Sequence, residues 1–201
     1  MGRITARYGL VVGAWLLIIC LSGCTGLTAV SAIPGAMYGM VADQFSGEEE
    51  SFAYNMEMTL AAAQQALQEM QIAIDIVEKR EDGGYSLAFN NNRLDGKISL
   101  SRQTPKLTTV YIRVRTLTRE ESVERAIIQL IDAKLKKLPA GAHFRQADFR
   151  NLLAKADFHS RRLGWYRPGA RLDAQKSMTR GWLQVKMPSG KIAFLKGAIK
   201  K

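Results

Sequence analysis

Apolar positions along the chain change their period several times, and the changes mark its elements. Leu10 to Leu21 is a continuous apolar run, broken by Ser22-Gly23-Cys24-Thr25-Gly26. From Thr25 to Ala42, Leu27, Val30, Ile33, Met37 and Met40 are spaced among Gly and Ala, with Pro34-Gly35 and Gly39 arguing against one rigid rod. That tract reads as a partly helical, membrane-hugging tether. The charged break Ser46 to Glu50 follows, and Ser51 to Met56 is a short strand candidate. From Thr59 the period is helical: Leu60, Ala63, Leu67, Met70 and Ile74 recur at three and four residues, with Gln64, Gln65, Gln68 and Gln71 on the opposite face. The helix is expected to fade near Gln71, where Ile72, Ile74 and Ile76 begin to alternate as a strand.

Three further alternating stretches follow: Tyr85, Leu87 and Phe89; Ile98 and Leu100; and Val110, Ile112 and Val114. Turn chemistry separates them at Glu81-Asp82-Gly83-Gly84, at Asn90-Asn91-Asn92 with Asp95-Gly96, and at Thr104-Pro105-Lys106. A second helix opens at Thr118-Arg119-Glu120-Glu121, where Thr118 and Glu121 fit a capping box, and Val123, Ile127, Leu130, Ile131 and Leu135 form its apolar stripe. Two amphipathic helices need a surface to bury against, and the open face of an antiparallel meander supplies it. Beyond a hinge at Pro139-Ala140-Gly141, a short helix is expected around Ala147 to Leu153. A turn then lies near Tyr166 to Leu172, and strands at Gly181 to Lys186 and Ile192 to Leu195 flank the tight turn Pro188-Ser189-Gly190.

The first residues read as an address. Arg3 and Arg7 make a positive leader start, and the apolar run is short for a bilayer span, which needs about 20 residues. Leu21, Ser22 and Gly23 then give the pattern on which a lipoprotein signal peptidase cuts, leaving Cys24 as the lipidated first residue. The bland alternative is an uncleaved signal-anchor helix through Leu27. Myristoylation at Gly2 fits poorly, since Ala6 stands where Ser or Thr is wanted. Thr25, where Asp would signal inner-membrane retention, favours the outer membrane of a diderm bacterium; otherwise the outer face of the cytoplasmic membrane is expected.

Charge sharpens the picture of the C-terminal third. Glu48 to Lys137 carries 13 Lys and Arg against 14 Asp and Glu, whereas Leu138 to Lys201 carries 14 against 3. Such asymmetry suggests a surface for an anionic partner. Peptidoglycan, anionic lipid and an acidic envelope protein are the candidates, and membrane attachment runs through Cys24. Nucleic acid is set aside because an exported lipoprotein has little access to it.

Catalytic readings fail on inventory. Cys20 and Cys24 lie in or beside the leader, so the mature chain has no disulfide framework, and His143 and His159 lack metal-ligand spacing. No cofactor or metal is expected. Neither a nucleophile elbow nor a phosphate-cradling loop appears.

Two resemblances extend this reading. Thr109-Val110-Tyr111-Ile112-Arg113-Val114, together with the Gly/Ala-rich tract and the Ala-rich helix from Thr59 to Gln71, resembles a family of small bacterial lipoproteins with a domain of unknown function, over roughly Cys24 to Leu138. Gly181, Trp182, Val185, Gly190 and Phe194 are similar in order to bacterial Src-homology-3-like (SH3-like) domains, over about Leu153 to Lys201; Phe158-His159-Ser160-Arg161-Arg162 departs from that pattern. The periodicity gives an α+β fold, two helices packed on an antiparallel β-meander; the first resemblance implies a cell-envelope lipoprotein with no known catalytic residue, and the second implies that a small all-β SH3-like barrel follows. The expected organisation is a signal peptide over 1–23, a tether over 24–47, an α+β domain over 48–138, a linker over 139–152 and a basic SH3-like domain over 153–201.

A candidate ligand surface combines Trp165 and Tyr166, expected as an exposed pair in a loop, with Arg161, Arg162, Arg167 and Arg171. The bland reading makes Trp182 and Phe194 barrel core and the arginines a solvated face. The expected function is a non-enzymatic, lipid-tethered cell-envelope protein whose basic module binds cell wall or a partner protein. An envelope hydrolase, or an accessory factor to one, is the competing class.

Overall fold

Glu48-Glu49-Glu50 is not a solvated break but the start of a strand. The computed structural model describes residues 47–91 and 93–198. Leu21 to Cys24 and the tract Thr25 to Ala42 lie outside them. Strand β1 (Glu48–Phe52) pairs antiparallel with β5 (Leu107–Arg115), placing Glu49 opposite Tyr111. A row of glutamates suits a sheet edge, where charge discourages pairing with other chains. Glu48 also meets Arg119 at 4.0 Å and Arg125 at 3.6 Å.

Helix α1 (Met56–Glu69) begins three residues before the expected Thr59 because Asn55 caps it, its side chain accepting from the Met58 amide at 2.9 Å. It ends where Gln71 adopts φ 57°. Gln64 does not face water. It is 4% exposed, donates to the Arg145 carbonyl at 3.1 Å and accepts from the Arg145 amide at 2.9 Å. This two-way bond fastens the segment after Pro139 to α1, and Phe144 enters the core beside it.

The meander β2 (Ile74–Lys79), β3 (Tyr85–Asn90), β4 (Asp95–Thr104) and β5 runs antiparallel throughout. Leu87, Phe89, Ile98, Leu100, Val110, Ile112 and Val114 point to one face and meet α1 and α2 (Glu121–Leu135) in a single apolar core. The capping box at α2 does not form. Glu120 is the N-cap and makes no side-chain capping bond. Its neighbourhood is organised by Glu124 instead, fully buried, accepting from the Val114 amide at 2.8 Å and from Arg119 at 2.7 and 2.9 Å.

The expected architecture is corrected by the C-terminal strands. Strands β6 (Arg150–Leu153), β7 (Arg162–Tyr166), β8 (Ala174–Lys176), β9 (Trp182–Lys186) and β10 (Ile192–Lys196) do not close a separate SH3-like barrel. They continue the meander as one ten-stranded antiparallel sheet ordered β1-β5-β4-β3-β2-β7-β6-β10-β9-β8. The described residues are therefore mostly β, with two helices among them, rather than an α+β domain plus a barrel. Where a short helix was expected, Arg150–Leu153 is strand.

The physical reason lies in β2. Its register shifts between Ile74 and Ile76, so these two do not share a face as simple alternation requires. Ile74 and Val77 belong to the helix-side core, while Ile76 joins Leu152, Leu183, Val185, Met187, Ala193 and Leu195 in a second core on the other face. A strand that is apolar on both sides cannot sit at a sheet edge. β7 covers it through the pairs Ile76–Tyr166, Val77–Trp165 and Glu78–Gly164.

Polar contacts hold the second layer in place. Glu78, 3% exposed, accepts from the Ser189 amide at 2.8 Å and the Ser189 hydroxyl at 2.5 Å. Lys97 donates to the Pro188 carbonyl at 2.9 Å, and Lys191 meets Glu81 at 2.8 Å. Burial pushes the Lys97 ammonium below its ordinary pKa, and the Glu78 carboxylate opposes that shift. The β9–β10 turn is thereby pinned over the outer face of β2 and β4.

Gly164 makes the β2–β7 joint possible. A Cβ there would stand 2.2 Å from the Val77 carbonyl oxygen and 3.0 Å from the Glu78 Cα. Gly164→Ala should lower unfolding free energy by about 1–3 kcal/mol, the usual cost of overpacking. Denaturant titration followed by Trp fluorescence checks this, and an unchanged midpoint would show that the joint accommodates a methyl group.

Candidate functional site

The C-terminal half places a cleft of about 330 Å³ between β6, β10 and the loop before β7, lined by Arg150, Asn151, Leu153, Phe158, Tyr166, Trp182, Leu195 and Lys196. Among the described residues, no carboxylate lines it. Phe158 is 68% exposed and packs on the buried Trp182 with ring centroids 4.9 Å apart and planes tilted by 53°. The Lys196 ammonium lies 5.6 Å from the Trp182 centroid and 6.0 Å from that of Phe158, within cation–π range. Arg150 is an exposed residue of β6, while Tyr166 is partly buried and packs against the second core.

The local sequence explains this placement. β9 alternates, so Trp182 and Gln184 share one face and Leu183 and Val185 the other. Leu183 and Val185 fill the second core, while Trp182 lies under Phe158. Phe158 reaches it from the turn Asp157-Phe158-His159. There Asp157 accepts from the His159 amide at 3.0 Å, which holds the Asp157 carboxyl below its ordinary range. The resulting wall is aromatic at its floor and cationic at its rim, suited to an anionic ligand with an apolar portion.

The six residues proposed from sequence do not gather on one surface. Trp165 is neither exposed nor in a loop. It is 6% exposed, lies in β7 and packs into the helix-side core, with the Arg162 guanidinium 4.7 Å above its ring. Tyr166, next along the strand, faces the opposite way and alone of the six lines the cleft. Arg167 is engaged by Asp75 at 2.7 Å and by the Ile74 carbonyl at 3.3 Å. Arg161 and Arg171 are exposed, outside the cleft lining. Phe194 is half-buried and belongs to neither core.

Sequence reasoning missed Arg150, Asn151, Phe158 and Lys196. One signal was available: Phe158 sits between Asp157 and His159 with only the small Ala156 and Ala154 at the nearest strand and helix spacings, which marks an aromatic without a clear core position.

The two histidines are apart in chemistry as in sequence. His143 lies beside Phe144 in a small recess with Glu57, Tyr85 and Trp165, and His159 is exposed with Asp157 at 3.3 Å. Among the described residues, no three of His, Cys, Asp and Glu gather as a metal-ligating group. No helix among them is long and apolar enough to cross a membrane. No family model matches the chain, and no match is found among curated proteins.

Asp75, at the β2 irregularity, makes the stability of the fold depend on pH. Burial raises its carboxyl above the ordinary aspartate range, and the Arg167 guanidinium only partly offsets this. A raised acid favours the fold most when protonated. Its contribution is full below the ordinary range and is lost as pH rises through the raised value. Wild type should therefore gain stability relative to Asp75→Asn as pH falls from neutral into the carboxylate range. Paired denaturant titrations across pH check the sign; a gap that stayed constant would remove Asp75 from the pH response.

Proposed function

We propose that this chain is a non-enzymatic, lipid-tethered protein of the bacterial cell envelope that displays its basic C-terminal strands to an anionic partner. The observation that carries the reading is Leu21-Ser22-Gly23-Cys24 behind a positive start and a short apolar run. Two or more acyl chains on one cysteine give stable membrane attachment where a single chain is marginal. Thr25 supports an outer-membrane address, on the periplasmic face, in a diderm host.

The binding half of the proposal draws on charge and on the cleft. The C-terminal third holds 14 Lys and Arg against 3 Asp and Glu, and the cleft within it has cations at its rim and, among the described residues, no acid in its lining. Electrostatic attraction of this kind raises the rate of encounter with an acidic partner and weakens as salt is added. A tether confines the domain near the membrane, so a modest affinity serves a partner held at the same surface.

Growth with an alkyne-bearing fatty acid should label the wild-type chain and leave Cys24→Ser unlabelled. The wild type should also be shorter than the variant by residues 1–23, read by intact-mass spectrometry. Equal labelling of both chains would sink the lipid assignment.

A further inference from the structure

The cleft coincides with a break in the sheet. β6 and β10 are neighbours in strand order, yet their register holds a single pair, Leu153–Phe194. Each is fully engaged on its far side: β6 pairs with β7 from Arg150 to Leu153, and β10 with β9 from Ile192 to Lys196. Continued antiparallel pairing would set Asn151 opposite Lys196. No such pair forms, and Arg150 and Asn151 of β6 line the same cleft as Leu195 and Lys196 of β10. Two rigidly backed edges turned towards one gap offer main-chain donors and acceptors to an added strand.

We propose that this gap receives an extended acidic peptide segment of a partner protein, which pairs with the open edges of β6 and β10. The chemistry of the lining selects that occupant. An extended chain presents alternate side chains to opposite faces. Acidic residues on one face would meet Arg150 and Lys196, and apolar residues on the other would rest on Phe158, which is 68% exposed. A volume of about 330 Å³ is at the low end for ligand pockets, which suits a short insertion rather than a long strand. The inference deepens the binding reading above and rests on it only for how a partner comes within reach. The lipid anchor and the peptide site stand or fall separately.

The test uses the full-length lipidated protein purified in detergent and a fluorescein-labelled octapeptide alternating Glu with Val and Phe. Anisotropy titration should show saturable binding, weakened about tenfold or more when Lys replaces Glu, and to the same degree when alternate backbone nitrogens are methylated. Arg150→Glu should weaken binding about tenfold with melting temperature unchanged, since its side chain is exposed, while Lys196→Glu and Phe158→Ala should weaken binding to the same degree and also lower the melting temperature, because both side chains contact Trp182. Equal binding of the N-methylated peptide would overturn strand addition, and equal binding of the Lys peptide would overturn acidic selectivity. Absence of peptide binding, or binding of muramyl-glycan fragments in its place, would overturn the proposal. Fatty-acid labelling of Cys24 is untouched by any of these outcomes.

Discussion

Everything beyond the first five strands depends on the close approach of β7 to β2 at Gly164. Bare backbone at that position lets the Val77 carbonyl and the Glu78 backbone come within reach of ladder bonds that any side chain would block. Because β2 is apolar on both faces, this contact buries Trp165 on the helix side and, on the other side, aligns Ile76 with the second core. One ladder of three register pairs thus joins two hydrophobic cores that share no buried residue. The hydrophobic effect supplies the drive on each side, and the glycine permits both to act on one strand.

Buried carboxylates make the remaining decisions. Glu78 holds the β9–β10 turn, Glu124 holds the end of β5 to α2 with Arg119, and Asp75 holds the strand end at Arg167. In each case one acid that would be costly to bury alone is satisfied by groups from a segment distant in sequence or irregular in conformation. Such contacts add little net stability compared with the cores. Their effect is to fix where turns and strand ends lie, since any other placement leaves a charge unpartnered.

How much of this was legible in the sequence divides along physical lines. Helices and strands with one buried face, such as α2 and β5, announced themselves by period. β1 did not, because an edge strand tolerates glutamates that read as solvated charge. The continuous sheet was hidden by the irregularity at Asp75, which moves Ile76 to the opposite face without disturbing the visible Ile72-Ile74-Ile76 alternation. Trp165 looked exposed because Arg162, Arg167 and Pro168 surround it in sequence; one of these cations stacks on its ring and another turns to Asp75. The cleft was least legible, since it arises where a ladder stops, and no periodicity encodes an absent pair.

The single-sheet topology also has a mechanical meaning. β1 forms one boundary of the sheet, and the cleft lies beyond the midline between β6 and β10. If the chain is anchored upstream of Gly47 and a partner pulls at the cleft, tension crosses the ladders from β1 to β6 in series. The shortest of these registers is the three-pair joint between β2 and β7. The glycine seam that unites the two cores would then be the place where the protein yields first, drawing Trp165 out of the helix-side core and Ile76 out of the second.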